Sequence, residues 1–171
     1  LEEQEAEFQS NPFLQLFHGS RARLASDPHR PVYHYVNPEV NLNDPNGLCF
    51  WQGNWHLFYQ ANSPEDTRQH WGHAVSKDLV HWRDLPLAIY PGPEEKCFYG
   101  ATLVKKDRVI AICHGIKQGA MLAISDDPLL LNWEKVSGKD VIPNVDYDEH
   151  GAPHQVYDPC IWKDGDFYYV L

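Results

Sequence analysis

The sequence predicts an all-β protein built from repeated units, and three features of its 171 residues support this. Thirteen Pro and eleven Gly interrupt the chain at short intervals, as in proteins made of short strands and turns. Aromatic residues, which favour strands, make up 13% of the chain. The segment from Ser76 to Trp82 also returns as Ser125 to Trp133. A period of about 50 residues with several short strands per unit is typical of β-propeller blades.

The predicted elements begin with an N-terminal extension over residues 1–30, a short acidic helix (1–10) followed by irregular chain. Residues 31–171 are predicted to form a partial propeller that is incomplete at its C-terminal end, because they hold two full units and the start of a third. Trp82 and Trp133 are expected to pack within the blades. The predicted β segments are 32–36, a hairpin over 48–59 turning at Gln52-Gly53-Asn54, 71–76, 99–104, 109–114, 121–125, and a hairpin over 158–169 turning at Asp164-Gly165-Asp166.

Two Asp-Pro pairs stand at equivalent places in the repeat. Asp44-Pro45 is followed by Asn46-Gly47, two residues that tolerate the left-handed turn region, and then by an aromatic strand. Asp158-Pro159 leads into a matching aromatic strand. Because the innermost strand of every blade points at one central axis, the two carboxylates are expected to meet in a shared pocket. An ordinary surface turn at residues 43–47 is the alternative.

Composition argues against two classes of partner. The formal net charge is −10, from 14 basic and 24 acidic residues, and no long basic run is present. A nucleic-acid-binding protein would carry a positive surface, so no nucleic acid is expected. No apolar run reaches the about 18 residues that span a membrane. The acidic residues 1–8 do not resemble a signal peptide, but a leader can be removed, so the compartment stays open.

The spacing of the cysteines and histidines does not match a strong metal-binding motif. Cysteines stand at positions 49, 97, 113 and 160, without a CxxC pair. They are interpreted as small buried hydrophobes, with disulfides as the alternative. His70 and His73 have a spacing found among metal ligands, but on a strand they point to opposite faces. No metal and no cofactor is therefore expected, and the acidic residues within 146–149 are interpreted as a solvated loop.

Five short motifs occur in the order found in one enzyme family. On these motifs the chain resembles glycoside hydrolase family 32, the invertase, inulinase and levanase group, from about residue 31 to the end. The resemblance implies a five-bladed β-propeller, of which this chain covers about the first two blades and the start of the third. The motifs are NDPNGL at 43–48, LFYQAN at 57–62, WGHAVSKDLVHW at 71–82, CFYGAT at 97–102 and VYDP at 156–159.

The resemblance also implies roles for individual residues. Asp44 would be the nucleophile, and Asp158 would bind fructosyl hydroxyls and stabilise the transition state. For Trp71 a structural place in the core is an equal alternative. The family's proton donor is the Glu of a Glu-Cys pair, which does not occur here and is expected beyond Leu171 or to be absent. The expected substrate-binding residues are Asn43, Gln60, Trp71, Phe98, Tyr99 and Tyr157.

Two departures from the family pattern leave the sugar open. Tyr157 stands where the family has Arg, so Asp158 lacks a cationic neighbour. Tyr99 stands where the family has Ser, which makes the pocket entrance bulkier.

The predicted function is a retaining glycoside hydrolase of β-fructosides of the sucrose, inulin or levan type. One alternative is a related glycosidase or fructosyltransferase with altered sugar specificity, and another is a non-catalytic carbohydrate-binding fragment. The expected partners are a carbohydrate and a second chain or C-terminal segment that completes the propeller. The family favours a secreted or periplasmic location, whereas unpaired cysteines favour a reducing compartment.

Overall fold

A computed structural model describes residues 2–39, 42–63, 65–145 and 155–171. In these ranges the chain forms two helices followed by strands only. Strands β1–β4 form one antiparallel sheet (blade I), β5–β8 form a second (blade II), and β9 and β10 form a hairpin. The elements are α1 (Glu2–Ser10), α2 (Pro12–Leu24), β1 (Pro45–Trp51), β2 (Asn54–Ala61), β3 (His70–Ser76), β4 (Trp82–Ile89), β5 (Cys97–Val104), β6 (Val109–Gly115), β7 (Gly119–Ser125), β8 (Glu134–Pro143), β9 (Ile161–Asp164) and β10 (Phe167–Val170).

Both predicted hairpins are confirmed. Between β1 and β2 the chain turns at Gln52 and Gly53, whose φ angles of 48° and 78° match the two left-handed residues of a tight hairpin turn. Gly165, with φ of 54°, turns the chain between β9 and β10. These turns hold each pair of strands in register, so the aromatic residues alternate between the two faces of the sheet.

The repeat is also confirmed at the turn before the last strand of each blade. Leu79 and Leu130 both adopt positive φ, 66° and 53°. The indole nitrogen of Trp82 donates to the Leu79 carbonyl at 3.1 Å, and that of Trp133 donates to the Leu130 carbonyl at 2.7 Å. The repeated Trp residues therefore close equivalent turns, and Trp133 also packs edge-on against Phe58, as predicted for blade packing.

The core lies between the two blades, where β1 packs against β5. Thr102 donates its hydroxyl to the Gly47 carbonyl at 2.8 Å. A Cβ on Gly47 would meet the Thr102 side chain at 2.6 Å, and the residue has φ of 45°, so glycine is required on both grounds. Trp71 and Phe58 fill the space behind this contact and are both fully buried.

Two predictions near the amino end are wrong. Residues 11–30 were expected to be irregular, but α2 forms there because the Asn11 side chain caps the amides of Phe13 and Leu14 at 3.0 and 3.2 Å, and Pro12 occupies the first turn. The helix docks on β4 through Arg21 and Asp84.

Residues 32–36 form no strand. There the Tyr35 hydroxyl bonds instead to Tyr59 and Asp84, at 2.9 and 2.8 Å. The acidic residues expected to form a loop, 146–149, lie outside the described residues. Within the described part of the chain, neither helix has the length and apolar character needed to cross a bilayer.

Candidate active site

The first Asp-Pro turn is anchored to blade I through Gln60. The Asn43 amide donates to the Gln60 carbonyl at 3.2 Å, and the Gln60 amide donates to the Asp44 carbonyl at 2.9 Å. Asp44 itself lies exposed, immediately before β1. The turn thus fixes the Asp44 backbone, while its carboxylate has no hydrogen bond to any described residue.

Side-chain amides extend this anchor. The Gln60 side-chain oxygen accepts hydrogen bonds from the amide nitrogens of Asn43 and Gln69, both at 2.8 Å. Gln60 is only 3% exposed. The Gln60 side-chain oxygen already accepts two hydrogen bonds, and no described residue accepts one from the side-chain nitrogen. The Gln60 side-chain nitrogen is therefore available to donate a hydrogen bond. Gln69 was not predicted as a site residue, because nothing in the sequence indicates that it reaches Gln60.

Trp71 connects blade I to blade II. Its indole nitrogen donates to the Phe98 carbonyl at 2.8 Å. A Cβ on Gly47 would lie 3.3 Å from the Trp71 ring, so this ring sits directly behind the Asp44 turn. With 0% of its surface exposed, Trp71 supports Phe98 from within the core, which corresponds to the structural alternative for this residue.

The second Asp-Pro turn lies against the end of β6. The His114 ring packs edge-on against Phe98 and Tyr157, at centroid distances of 5.6 and 5.1 Å. Tyr157 is 68% exposed and donates its hydroxyl to Gln155. Asp158 is exposed and adopts φ of 47°, a conformation rare outside glycine. Tyr99, on β5, is half-buried.

His114 is a second residue that sequence reasoning missed. It is buried, and its Nδ1 atom has no hydrogen-bond partner among the described residues. Burial lowers the pKa of His114 from its ordinary value, and the charge of the nearby Asp158 partly opposes this effect. The imidazole is therefore neutral at neutral pH, and it forms the wall between Phe98 and the Asp158 turn.

The predicted residues thus form two groups, one on each blade. Asn43, Asp44 and Gln60 lie together on blade I. Beside blade II, Phe98 and Tyr157 both pack on the unpredicted His114, close to Asp158. The groups are joined through Trp71 and through the Cys97 amide, which donates to the Gln69 carbonyl at 2.8 Å.

His70 and His73 have separate partners, as expected for opposite faces of a strand. The Nδ1 atom of His70 bonds to the Arg68 carbonyl, and that of His56 bonds to His73. Among the described residues, one group of potential metal ligands lies together: Glu94, Cys97 and Cys113, behind Phe98 at the start of β5.

Comparison with known proteins establishes the family. Residues 34–171 match the glycosyl hydrolases family 32 N-terminal domain. The chain is 39% identical to a levanase of Bacillus subtilis over 136 residues, which is 69% of this chain and 20% of the levanase. It is 32% identical to a sucrose-6-phosphate hydrolase of Zymomonas mobilis over 163 residues, covering 87% of this chain and 31% of the relative. This chain belongs to glycoside hydrolase family 32.

Solved structures agree with this fold. The β-fructofuranosidase of Bombyx mori aligns with a TM-score of 0.69 and 32% identity, over 95% of this chain and 36% of the silkworm enzyme. A variant of that enzyme in complex with sucrose aligns with a TM-score of 0.68 and 31% identity, over the same shares of the two chains. The prediction of an all-β propeller fragment is confirmed. The chain spans about a fifth to a third of the length of the curated relatives described above.

Proposed function

We propose that this chain is the nucleophile-bearing part of a retaining glycoside hydrolase acting on β-fructosides of the sucrose, inulin or levan type. The observation that carries the proposal is the matched placement of two exposed carboxylates. Asp44 and Asp158 each precede a proline and then an aromatic strand. Family membership supports the reaction class, and the sucrose complex of the silkworm variant supports the substrate class.

The proposed chemistry is a double displacement. The Asp44 carboxylate attacks the anomeric carbon of the fructosyl group, the bond to the leaving alcohol breaks, and a fructosyl ester of Asp44 forms. Water then hydrolyses this ester. The Asn43–Gln60 contact serves to hold the Asp44 backbone during both steps, and a Gln60 amide hydrogen is available to a sugar hydroxyl.

Asp158 is proposed to stabilise the transition state. The fructosyl group becomes oxocarbenium-like, so a nearby carboxylate stabilises the positive charge that develops. Tyr157 offers a hydroxyl in place of a cation, and the neighbouring His114 is neutral. The negative charge of Asp158 is therefore not cancelled by either neighbour. Trp71 acts here as a positioning residue, because it contacts the Asp44 turn and Phe98 from inside the core.

The leaving alcohol needs a proton from a carboxylic acid. In family 32 this acid is the Glu of a Glu-Cys pair, which does not occur in residues 1–171. We propose that it comes from protein outside residues 1–171. The same observation favours the second candidate function, a carbohydrate-binding module without catalysis. Protein expressed from the complete reading frame distinguishes the two, since only the enzyme releases reducing sugar from sucrose, inulin or levan.

The decisive variant is Asp44→Asn, which keeps the side-chain shape and removes the nucleophile. We expect kcat/KM to fall by about 10³-fold or more with the fold retained. Asp107→Asn is the matched control, because Asp107 lies exposed on the β5–β6 turn, paired with Arg108. Equal hydrolysis by wild type and Asp44→Asn would remove Asp44 from this role.

A further inference from the structure

Blade II contains a buried cluster that the glycosidase chemistry does not use. Glu94 precedes β5, Cys97 begins β5, and Cys113 lies on β6. Their exposed fractions are 0%, 0% and 3%. One carboxylate oxygen and the two sulfur atoms all lie within 4.8 Å of one another, and Cys97 Sγ is 3.3 Å from Glu94 Oε1. Three ligand atoms of types that bind transition metals therefore surround one point.

Strand pairing brings the two thiols together. Cys97 pairs with Gly115, and Gly100 pairs with Cys113, with an irregularity in the ladder between these pairs. Because Cys97 pairs with Gly115, which lies two residues from Cys113 on β6, both sulfur atoms lie on the same side of the sheet. A bulge of this kind redirects side chains and ends regular pairing, so the cluster depends on the β5–β6 register.

The backbone holds Glu94 against the two sulfur atoms. The Gly92 amide donates to Glu94 Oε2 at 3.1 Å, and the neighbouring loop pairs with β6 through Glu95 and Ile116 at 3.2 Å. A Cβ on Gly115 would lie 3.0 Å from Glu94 Cβ and 2.7 Å from Met121, so the close approach of the loop depends on this glycine. The carboxylate is thus positioned before any ligand arrives.

Lys135 balances the charge of the cluster. Lys135, on β8, donates a hydrogen bond to Glu94 Oε1, and its Nζ atom is 3.9 Å from Cys97 Sγ. With both thiols protonated, the cluster is neutral. When a divalent cation replaces the two thiol protons, the thiolates, the carboxylate, Lys135 and the metal again sum to zero. The divalent cation balances two of the three negative charges of the two thiolates and the carboxylate. Lys135 supplies the remaining positive charge, so the buried site carries no net charge.

We propose that Glu94, Cys97 and Cys113 form a structural site for a soft divalent cation of the Zn²⁺ type, with Lys135 as the charge-balancing partner of Glu94. Thiolate and carboxylate ligands suit this class of metal. Tetrahedral Zn–S bonds of about 2.3 Å place two sulfurs about 3.8 Å apart, so small side-chain movements suffice. On binding, each thiol releases its proton to solvent and forms a sulfur–metal bond. The site would fix the start of β5 and hence Phe98.

The test uses protein that has been fully reduced and then freed of metal and reductant. Addition of Co²⁺ should give about one bound ion per chain, with tetrahedral cobalt bands and a strong thiolate-to-cobalt absorption. Zn²⁺ should displace it. In Cys97→Ser and Cys113→Ser the stoichiometry should fall below about 0.1 per chain. Cys49→Ser is the matched control, since Cys49 is buried outside the cluster, and Cys160→Ser controls for the exposed thiol.

The wild type alone can decide the question if the variants fail to fold. X-ray absorption at the zinc edge should show two sulfur neighbours and at least one oxygen neighbour. Absence of thiolate-to-cobalt absorption, a zinc shell without sulfur, or undiminished binding in folded Cys113→Ser would overturn the proposal. Formation of a Cys97–Cys113 disulfide that prevents metal binding would also overturn it. None of these measurements depends on glycosidase activity, so the two proposals fail independently.

Discussion

Blade I and blade II follow the same four-stranded meander, but they bury different polar groups. Blade I buries an imidazole pair, in which His56 Nδ1 and His73 Nε2 are 3.0 Å apart and Phe58 stacks on the His73 ring. Blade II buries the ion pair of Glu94 and Lys135 with its two thiols. The turns and tryptophans are common to the two blades. The repeat therefore determines the scaffold, while each blade has its own polar interior with its own response to a change of charge.

The largest expected effect comes from removing one charge in blade II. Lys135→Met should lower the free energy of unfolding by about 3–5 kcal/mol, because it leaves the buried Glu94 carboxylate without its cation. Chemical denaturation monitored by tryptophan fluorescence would measure this loss. The double variant Glu94→Gln with Lys135→Met should recover most of the stability, since no buried charge remains.

The matched control for this prediction is Lys117→Met. Lys117 also pairs with a glutamate, Glu95, but its side chain is 70% exposed. A solvent-exposed pair contributes about 0–1 kcal/mol, so this variant should change stability little. Equal losses of unfolding free energy in Lys135→Met and Lys117→Met would show that burial does not strengthen the Glu94–Lys135 ion pair.

Blade I should lose stability in acid through its buried imidazole pair. Burial lowers the pKa of His56 to about 4, although a hydrogen bond to the Trp51 backbone and the charge of Asp127 act to raise it. Burial also lowers the pKa of His73 well below its ordinary value. Between pH 6.5 and 4 the unfolded chain therefore binds more protons than the folded chain, so stability falls as pH falls. For His56 alone the loss approaches about 3 kcal/mol.

The free energy of unfolding measured at several pH values between these limits would test this. Replacing both imidazoles, with His56→Gln and His73→Gln, should reduce this slope, and the remainder should come from His70 and His114, whose pKa values burial also lowers. His29→Gln is the control and should leave the slope unchanged, because the His29 side chain is exposed. An undiminished slope in the double variant would assign the acid sensitivity to other groups.

The parts of the fold that depend on neighbouring residues could be predicted from the sequence. Gln52-Gly53 and Asp164-Gly165 indicate hairpins because few residues other than Gly and Asn adopt positive φ easily. The Ser-to-Trp repeat predicts equivalent turns, and both exist. Helix α2 was missed although Asn11-Pro12 is a helix-start signal, because its apolar positions are few and its docking depends on Asp84, far along the chain.

Features made by long-range contacts could not be predicted. His114 lines the candidate site only because β6 ends beside the Asp158 turn, and its position follows no motif. Cysteines were expected to be buried hydrophobes, which holds for Cys49, Cys97 and Cys113, whereas Cys160 is exposed. The grouping of Cys97 with Cys113 requires the register of β5 against β6, which spacing alone does not specify.

Asp44 is proposed to become covalently bonded to a fructosyl group, and trapping that ester tests the proposal most directly. Protein from the complete reading frame would be mixed with sucrose, quenched rapidly in acid, digested with pepsin and analysed by mass spectrometry. We expect a single hexosyl adduct on the peptide that contains Asp44, absent from Asp44→Asn. An adduct on another residue, or undiminished sucrose hydrolysis by Asp44→Asn, would contradict it.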